Sequence, residues 1–299
     1  MKIIIKPEKL ELMKAVSLIF DSILPDLKLD YYKIIALFRV AVVLIAIIDF
    51  SSVYIDLSIL ISDNSILPWE LGLLESEYYV FLEPIYSAIL SNGMTVSSFI
   101  TVLSTLYIVL LVTCGLGFHT KKSFFLAIIL QLIIFRTIQS FNYGYDNFIT
   151  MSFFYCLIFP VSYEFSLDNH RNNKNRGKQY TLTTFLKTHL SIIYFVSGIA
   201  KSVDINWWNG NAIWRSVATL DEFIYIDPFF LLVISSLTVI LETSYAFIVF
   251  SKFKNLRRVL VFHIVLMHLG IALVLGLSSF SSVLIVWNIV AFNKDFSKK

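Results

Sequence analysis

Charge inside apolar sequence is the first chemical signal in this chain. Arg39, Asp49, Arg136, Asp146, Lys201, Glu242 and His263 all fall within or at the ends of long apolar runs. An ionised group in hydrocarbon is costly, so each is a candidate for function, weighed against the simpler reading that it pairs with a neighbour to fix helix packing. Depth counted at about 1.5 Å per helical residue, with alternating run directions, sorts them into two layers. Arg39, Glu242 and His263 fall toward one side, and Asp49, Arg136, Asp146 and Lys201 toward the other. Arg39 and Glu242 come out at similar depth on different runs, which makes a structural ion pair a better reading than catalysis. His263 and His268 are five residues apart, so they project from different helical faces and cannot chelate one metal as an i, i+4 pair would. Cys114 and Cys156 sit inside apolar runs with no C-x-x-C or metal-ligand spacing, so neither dithiol exchange nor a metal is expected.

Lys201 belongs to the segment with the most chemical content. The sequence runs Tyr194-Phe195-Val196-Ser197-Gly198-Ile199-Ala200-Lys201 and continues to Trp207-Trp208-Asn209-Gly210. Ser197-Gly198 permits close helix approach, Lys201 ends an apolar run, and the tryptophans mark an interface. A lysine partly desolvated at such a boundary can serve as a base, whereas the simpler reading is snorkelling to the headgroups; composition alone favours snorkelling. Arg215 follows among Asp204, Asp221 and Glu222, where a solvated pair gives it a positional role. Asp49 and Asp146 are candidates to hold the Lys201 ammonium or relay its proton, with Arg136 competing for either.

The elements that must position these residues follow from composition. With 57% hydrophobic and 15% charged residues and a mean hydropathy of +0.76, the 299-residue chain is too apolar for a water-soluble globule. The expected class is an all-α, polytopic integral membrane protein of about eight transmembrane helices, with an amphipathic interfacial helix over residues 8–24. Spans are predicted near 33–53, 94–118, 123–140, 145–163, 184–203, 228–250, 256–276 and 279–293. Residues 1–30 form the amphipathic segment, 31–293 the membrane domain and 294–299 a basic tail. The N-terminal segment is interrupted by Lys9, Glu11, Lys14 and Asp21 and lacks the form of a signal peptide. The net charge of +3 is small and its basic residues flank the apolar runs, which excludes nucleic acid as the expected partner and makes the bilayer the first one. Eight crossings place every basic cluster on the side of both termini, the cytoplasmic side, and leave 54–93 outside with six acidic residues and no basic one.

The pattern Y-F-x-S-G-x-x-K followed by W-x-x-G resembles the signature of the HTTM (horizontally transferred transmembrane) domain superfamily, which includes the membrane domain of vitamin K-dependent gamma-carboxylases. Asn142 to Asp146, Pro160 with Phe165-Ser166-Leu167-Asp168, Leu241-Glu242 and Phe262-His263 occur in the order and approximate spacing of that family, so the resemblance covers roughly residues 30–293. It implies that Lys201 is the base that deprotonates a lipid-soluble hydroquinone, and that Asn142, Trp207 and His263 support the site. The family histidine near the start of the fourth span has no counterpart in SFNYGYDN, and the large lumenal domain that binds a substrate propeptide has none either. In size and layout the chain is similar to the stand-alone membrane component of the sporulation-delaying-protein maturation system. The implied role is that of a bacterial inner-membrane protein binding a quinone, menaquinone or a vitamin K-like hydroquinone, in an outward-facing cavity. Its implied partners are an exported, toxin-like peptide and a small accessory protein. The alternative is a non-enzymatic membrane scaffold or immunity-like partner of peptide export, in which the charged pairs only hold helices together.

The orientation has a direct check. Ser62→Cys should react with a membrane-impermeant thiol reagent in intact cells and Asn173→Cys should not; the opposite pattern would invert the topology.

Overall fold

The computed structural model describes residues 31–61, 65, 68–137, 142–168, 182–218 and 225–296. The amphipathic helix expected over 8–24, the polar stretch NHRNNKNRGKQY over 169–180, expected as a linker, and the last residues of the basic tail lie outside these. Among the described residues the regular elements are helices: α1 (Tyr31–Leu60), α2 (Trp69–Glu75), α3 (Tyr79–Ser91), α4 (Val96–Leu116), α5 (Thr120–Thr137), α6 (Gly144–Ile158), α7 (Leu182–Ser202), α8 (Ile205–Trp208), α9 (Asn211–Ala218), α10 (Pro228–Val249), α11 (Lys254–Val274), α12 (Ser278–Ala291) and α13 (Asn293–Phe296). Five of them, α1, α4, α7, α10 and α11, are long and apolar enough to cross a membrane. The other three expected spans coincide with α5, which carries Lys121, Lys122 and Arg136, and with α6 and α12, which have only 15 and 14 residues. The stretch 54–93, expected as a long connection, is largely helical, because α1 runs on to Leu60 and α2 and α3 follow.

The helices divide into two compact units, one of which comprises Tyr31–Gln179 with Ser282–Val286. In it α1 packs on α4, α4 on α5, α5 on α6, and α6 returns to α1. Phe50 of α1 meets Tyr107 of α4 edge-on at 4.8 Å and Phe135 of α5 at 5.8 Å. Trp69 stacks on Tyr86 at 5.0 Å, and Gly72 lies so close to the Thr137 carbonyl that a Cβ would sit 2.7 Å from the oxygen, which seats α2 at the end of α5.

The α4–α5 corner shows how this unit closes. Gly117 ends α4 in the left-handed region at φ 67°, and Phe118 N–H donates back to the Thr113 carbonyl. A Cβ on Gly117 would lie 2.6 Å from an Arg39 guanidinium nitrogen and 2.3 Å from Ser166 Oγ, so only glycine fits both the backbone and its neighbours. Arg39, fully buried, donates to the Val161 carbonyl at 3.0 Å and also to the Phe165 carbonyl. Ser166 Oγ donates to the Gly117 carbonyl at 2.7 Å. Asp168 accepts from His119 N–H at 3.1 Å and from Thr120 N–H and Oγ1 at 2.8 Å each, supplying the cap that the first turn of α5 lacks within its own strand of sequence.

The second unit comprises, among the described residues, 182–218, 225–281 and 287–296. Here α7 and α10 form the principal packing, α11 lies against α10, and α8 and α9 follow α10. Asp227 caps α10 by accepting from Phe229 N–H at 2.9 Å, with Pro228 at the first helical position where no N–H is required. At the other end Asp295 takes a two-pronged bond from Arg257, at 2.9 and 2.5 Å, and lies 3.7 Å from Lys187, while its own carbonyl accepts from Arg258. The turn α13 is thereby tied to α7 and α11.

Although burial opposes it, the hydrogen bonds from Thr120 and His119 hold the Asp168 carboxyl below its ordinary value. A depressed carboxylate contributes stability that is present above its unfolded-state value and lost as pH falls through the folded one. Thermal unfolding in detergent should therefore show an acid-side loss that Asp168→Asn removes, with Asp168→Asn less stable by about 1.5–3 kcal/mol near pH 7. An unchanged acid limb in Asp168→Asn would show that another group controls it.

Candidate functional site

Lys201 occupies the last turn of α7, and its side chain is 21% exposed. Nζ donates to Ser197 Oγ at 2.6 Å, one turn back on the same helix, and to Glu242 Oε2 of α10 at 2.5 Å. The Trp207 ring lies under the ammonium, 5.1 Å to its centroid. Glu242 is only 7% exposed and the pair is the principal charge–charge contact between α7 and α10. Glycine makes that contact possible: a Cβ at Gly198 would lie 2.5 Å from Thr243 N and 2.9 Å from the Glu242 carbonyl carbon, so any larger residue would push α7 off α10.

The level of this contact matters. Glu242 is the fifteenth residue of α10, roughly 20 Å along the helix from Pro228. Gly210, at φ 82°, approaches the backbone of Leu231 and Leu232 near the start of α10, within 3 Å of a would-be Cβ. Thus α7 stops partway along α10, and residues 202–210 climb back beside it through α8. Asp204 starts that short helix by accepting from Asn206 N–H at 3.0 Å, and Trp208 Nε1 donates to the Ser202 carbonyl at 2.8 Å. Lys201 is therefore set deep against α10 and not at its end.

A second polar group lies two turns below Lys201 on α7. Tyr194 Oη is 2.7 Å from His268 Nε2 of α11, and Asn288 Nδ2 of α12 donates to the same hydroxyl at 3.1 Å. Tyr245 of α10 donates to Asn288 Oδ1 at 2.8 Å, and its ring meets that of Tyr194 at 4.5 Å. All four residues are buried.

Glu242 corrects the expected Arg39–Glu242 partnership. Arg39 donates to the carbonyls of Val161 and Phe165, and Glu242 pairs with Lys201. The depth count failed because it let every helix run the full thickness, whereas α7 ends partway along α10, so residues assigned to opposite layers meet. Asp49 and Asp146 were candidates to hold the Lys201 ammonium, but the carboxylate bonded to it is Glu242. Asp146 Oδ2 accepts from Tyr143 N–H at 2.8 Å and so starts α6, while Arg136 donates to Asn147 at 3.0 Å and lies 5.4 Å from the Tyr78 ring centroid. Asn142 Nδ2 is buried with no hydrogen-bond partner among the described residues. His263 is exposed and its Nδ1 is 2.7 Å from the carbonyl of Val259 on its own helix, which makes it a surface residue of α11. Arg215 is exposed on α9; Asp204 serves Asn206, and Asp221 and Glu222 lie outside the described residues. The residue that sequence reasoning passed over is His268, whose hydrogen-bond partner on α7, Tyr194, is 74 positions away along the chain. Among the described residues no group of three or more His, Cys, Asp or Glu side chains is placed to hold a metal ion.

Comparison with known proteins gives no match to a family model, to a curated protein or to a solved structure. The site is therefore read from its own geometry.

A buried pair that loses one member leaves an uncompensated charge, a penalty of about 3–5 kcal/mol in soluble proteins. Lys201→Met and Glu242→Gln should each destabilise the detergent-solubilised protein strongly, and the double variant should lose less than their sum. Arg39→Leu combined with Glu242→Leu should instead be additive, since the two share no partner. Additivity in the first cycle, or strong coupling in the second, would contradict the assigned pairs.

Proposed function

We propose that this chain is a multi-pass bacterial inner-membrane protein of the HTTM type, with both termini cytoplasmic, in which Lys201 is a base directed at a lipid-soluble hydroquinone. The observation that carries the reading is the Lys201–Glu242–Ser197 constellation: a lysine tied to a buried carboxylate, over an indole face, inside apolar helices. A carboxylate 2.5 Å away gives the ammonium somewhere to leave its proton. Once the proton has moved to Glu242, Lys201 Nζ has a free lone pair and accepts a proton from a ligand hydroxyl; Glu242 then holds one proton and Lys201 carries the new charge. Ser197 fixes the rotamer of the lysine, and Trp207 offers a flat surface against which a ring can lie. The fit to a quinone-type group rests on these features together with the unpartnered buried Thr243 Oγ1 and His268 Nδ1 in the same unit. When bound, such a group would supply redox chemistry that no side chain here provides. The implied task is modification or maturation of an exported peptide, with a small accessory protein as partner.

The rival reading is a scaffold or immunity-like membrane partner in which Lys201 and Glu242 only clamp α7 to α10, and the same short contact favours it. Lys201→Arg separates the two, because a guanidinium keeps the ion pair and cannot act as a base near neutral pH. At matched expression, Lys201→Arg should fold and insert yet abolish the peptide-maturation phenotype, and gently purified wild-type protein should retain a quinone detectable by mass spectrometry. Full function of Lys201→Arg, with no retained quinone, would establish the scaffold.

A further inference from the structure

The hydrogen bonds around His268 have a direction. Tyr245 Oη donates to Asn288 Oδ1 at 2.8 Å, which turns the amide nitrogen toward Tyr194. Asn288 Nδ2 donates to Tyr194 Oη at 3.1 Å, so the single hydroxyl proton of Tyr194 is left for His268 Nε2, 2.7 Å away. Among the described residues no carboxylate bonds to the ring, so a neutral imidazole with one proton fits this buried place. Because Nε2 accepts, that proton sits on Nδ1. His268 is 2% exposed, and Nδ1 has no hydrogen-bond partner among the described residues. Three residues from three helices thus orient a donor that has no acceptor among the described residues.

The surroundings of the donor match a flat, apolar molecule with a polar edge. The Phe280 ring lies 6.0 Å and the Tyr194 ring 6.1 Å from the imidazole, and the Tyr245 ring is tilted against that of Tyr194 at 4.5 Å. Tyr194 lies two turns from Lys201 on α7 and Tyr245 three residues from Glu242 on α10, so the ion pair and the donor chain share one neighbourhood of the unit.

We propose that His268 Nδ1–H is a ligand-binding donor that takes a carbonyl or hydroxyl oxygen of the molecule served by Lys201, with Tyr194, Asn288 and Tyr245 as its positioning residues. This rests on the reading of Lys201 as a ligand-directed base. Hydrogen-bond recognition of an oxygen makes a specific demand: a ring system without oxygen fills the same space and loses the bond.

The test uses the full chain in lipid nanodiscs and two probes of the same shape, menadione and 2-methylnaphthalene, followed by quenching of tryptophan fluorescence. Wild type should bind menadione at least about tenfold more tightly than 2-methylnaphthalene, the ratio expected of one good hydrogen bond. His268→Phe should lower that preference by about tenfold with little change for 2-methylnaphthalene, and His268→Asn, whose amide nitrogen stands near the position of Nδ1, should recover part of it. Nitrogen-15 NMR of histidine-labelled protein, assigned by comparison with His268→Asn, should show the Nδ1–H tautomer at neutral pH. A preference unaltered in His268→Phe but lost in Lys201→Met overturns the inference and leaves the base intact. So does an Nε2–H tautomer. Equal binding of both probes by wild type overturns the inference and the base reading together.

Discussion

An ion pair between α7 and α10 governs the layout of its unit. Lys201 and Glu242 approach to 2.5 Å within a mostly buried helix crossing, and neither charge is tolerable there without the other. Meeting Glu242 requires Gly198, since a Cβ would collide with the backbone at Thr243. It also requires α7 to end where it does, so that the lysine reaches across from its final turn. The chain then has to regain the far end of α10, and residues 202–210 do so through the short α8, the indoles of Trp207 and Trp208 folding over the lysine and the end of α7. One electrostatic requirement thus fixes a glycine, a helix length and a connection.

The other unit meets the same requirement differently. Among the described residues Arg39 has no carboxylate bonded to it and instead donates to two carbonyls of the segment after α6, Val161 and Phe165. That segment brings Ser166 to the Gly117 carbonyl and Asp168 to the first turn of α5. Burial of a guanidinium is compensated by backbone oxygens that would themselves be unpaired, and both sides of the exchange lower the cost of leaving water.

How much of this was legible in the sequence depended on the range of the interaction. The apolar runs gave the helices, because each run is continuous and its length is read directly. Lys201 stood out for the same local reason: it closes a run beside Ser197-Gly198 and precedes two tryptophans. Its partner was misassigned, since Glu242 was matched by depth to Arg39 on the premise that every helix crosses the full thickness. The arrest of α7 partway along α10 is a tertiary fact with no local signature. His268 was dismissed as half of a poor metal pair with His263, when its partners come from α7 and α12. Phe165-Ser166-Leu167-Asp168 was noticed as a pattern, yet its role in capping α5 depends on a contact across 48 residues. Helices α2 and α3 escaped notice because their acidic residues obscured short apolar faces.

The account turns on Lys201 and Glu242 being ionised together inside the apolar helices. Isotope-edited infrared spectroscopy of the protein in lipid bilayers, with glutamate carboxyls labelled and Glu242→Gln used to assign the band, reads that state directly. At neutral pH Glu242 should give carboxylate stretching bands in the wild type and a protonated carbonyl band in Lys201→Met. A protonated Glu242 in the wild type, or a carboxylate that persists unchanged in Lys201→Met, would contradict it.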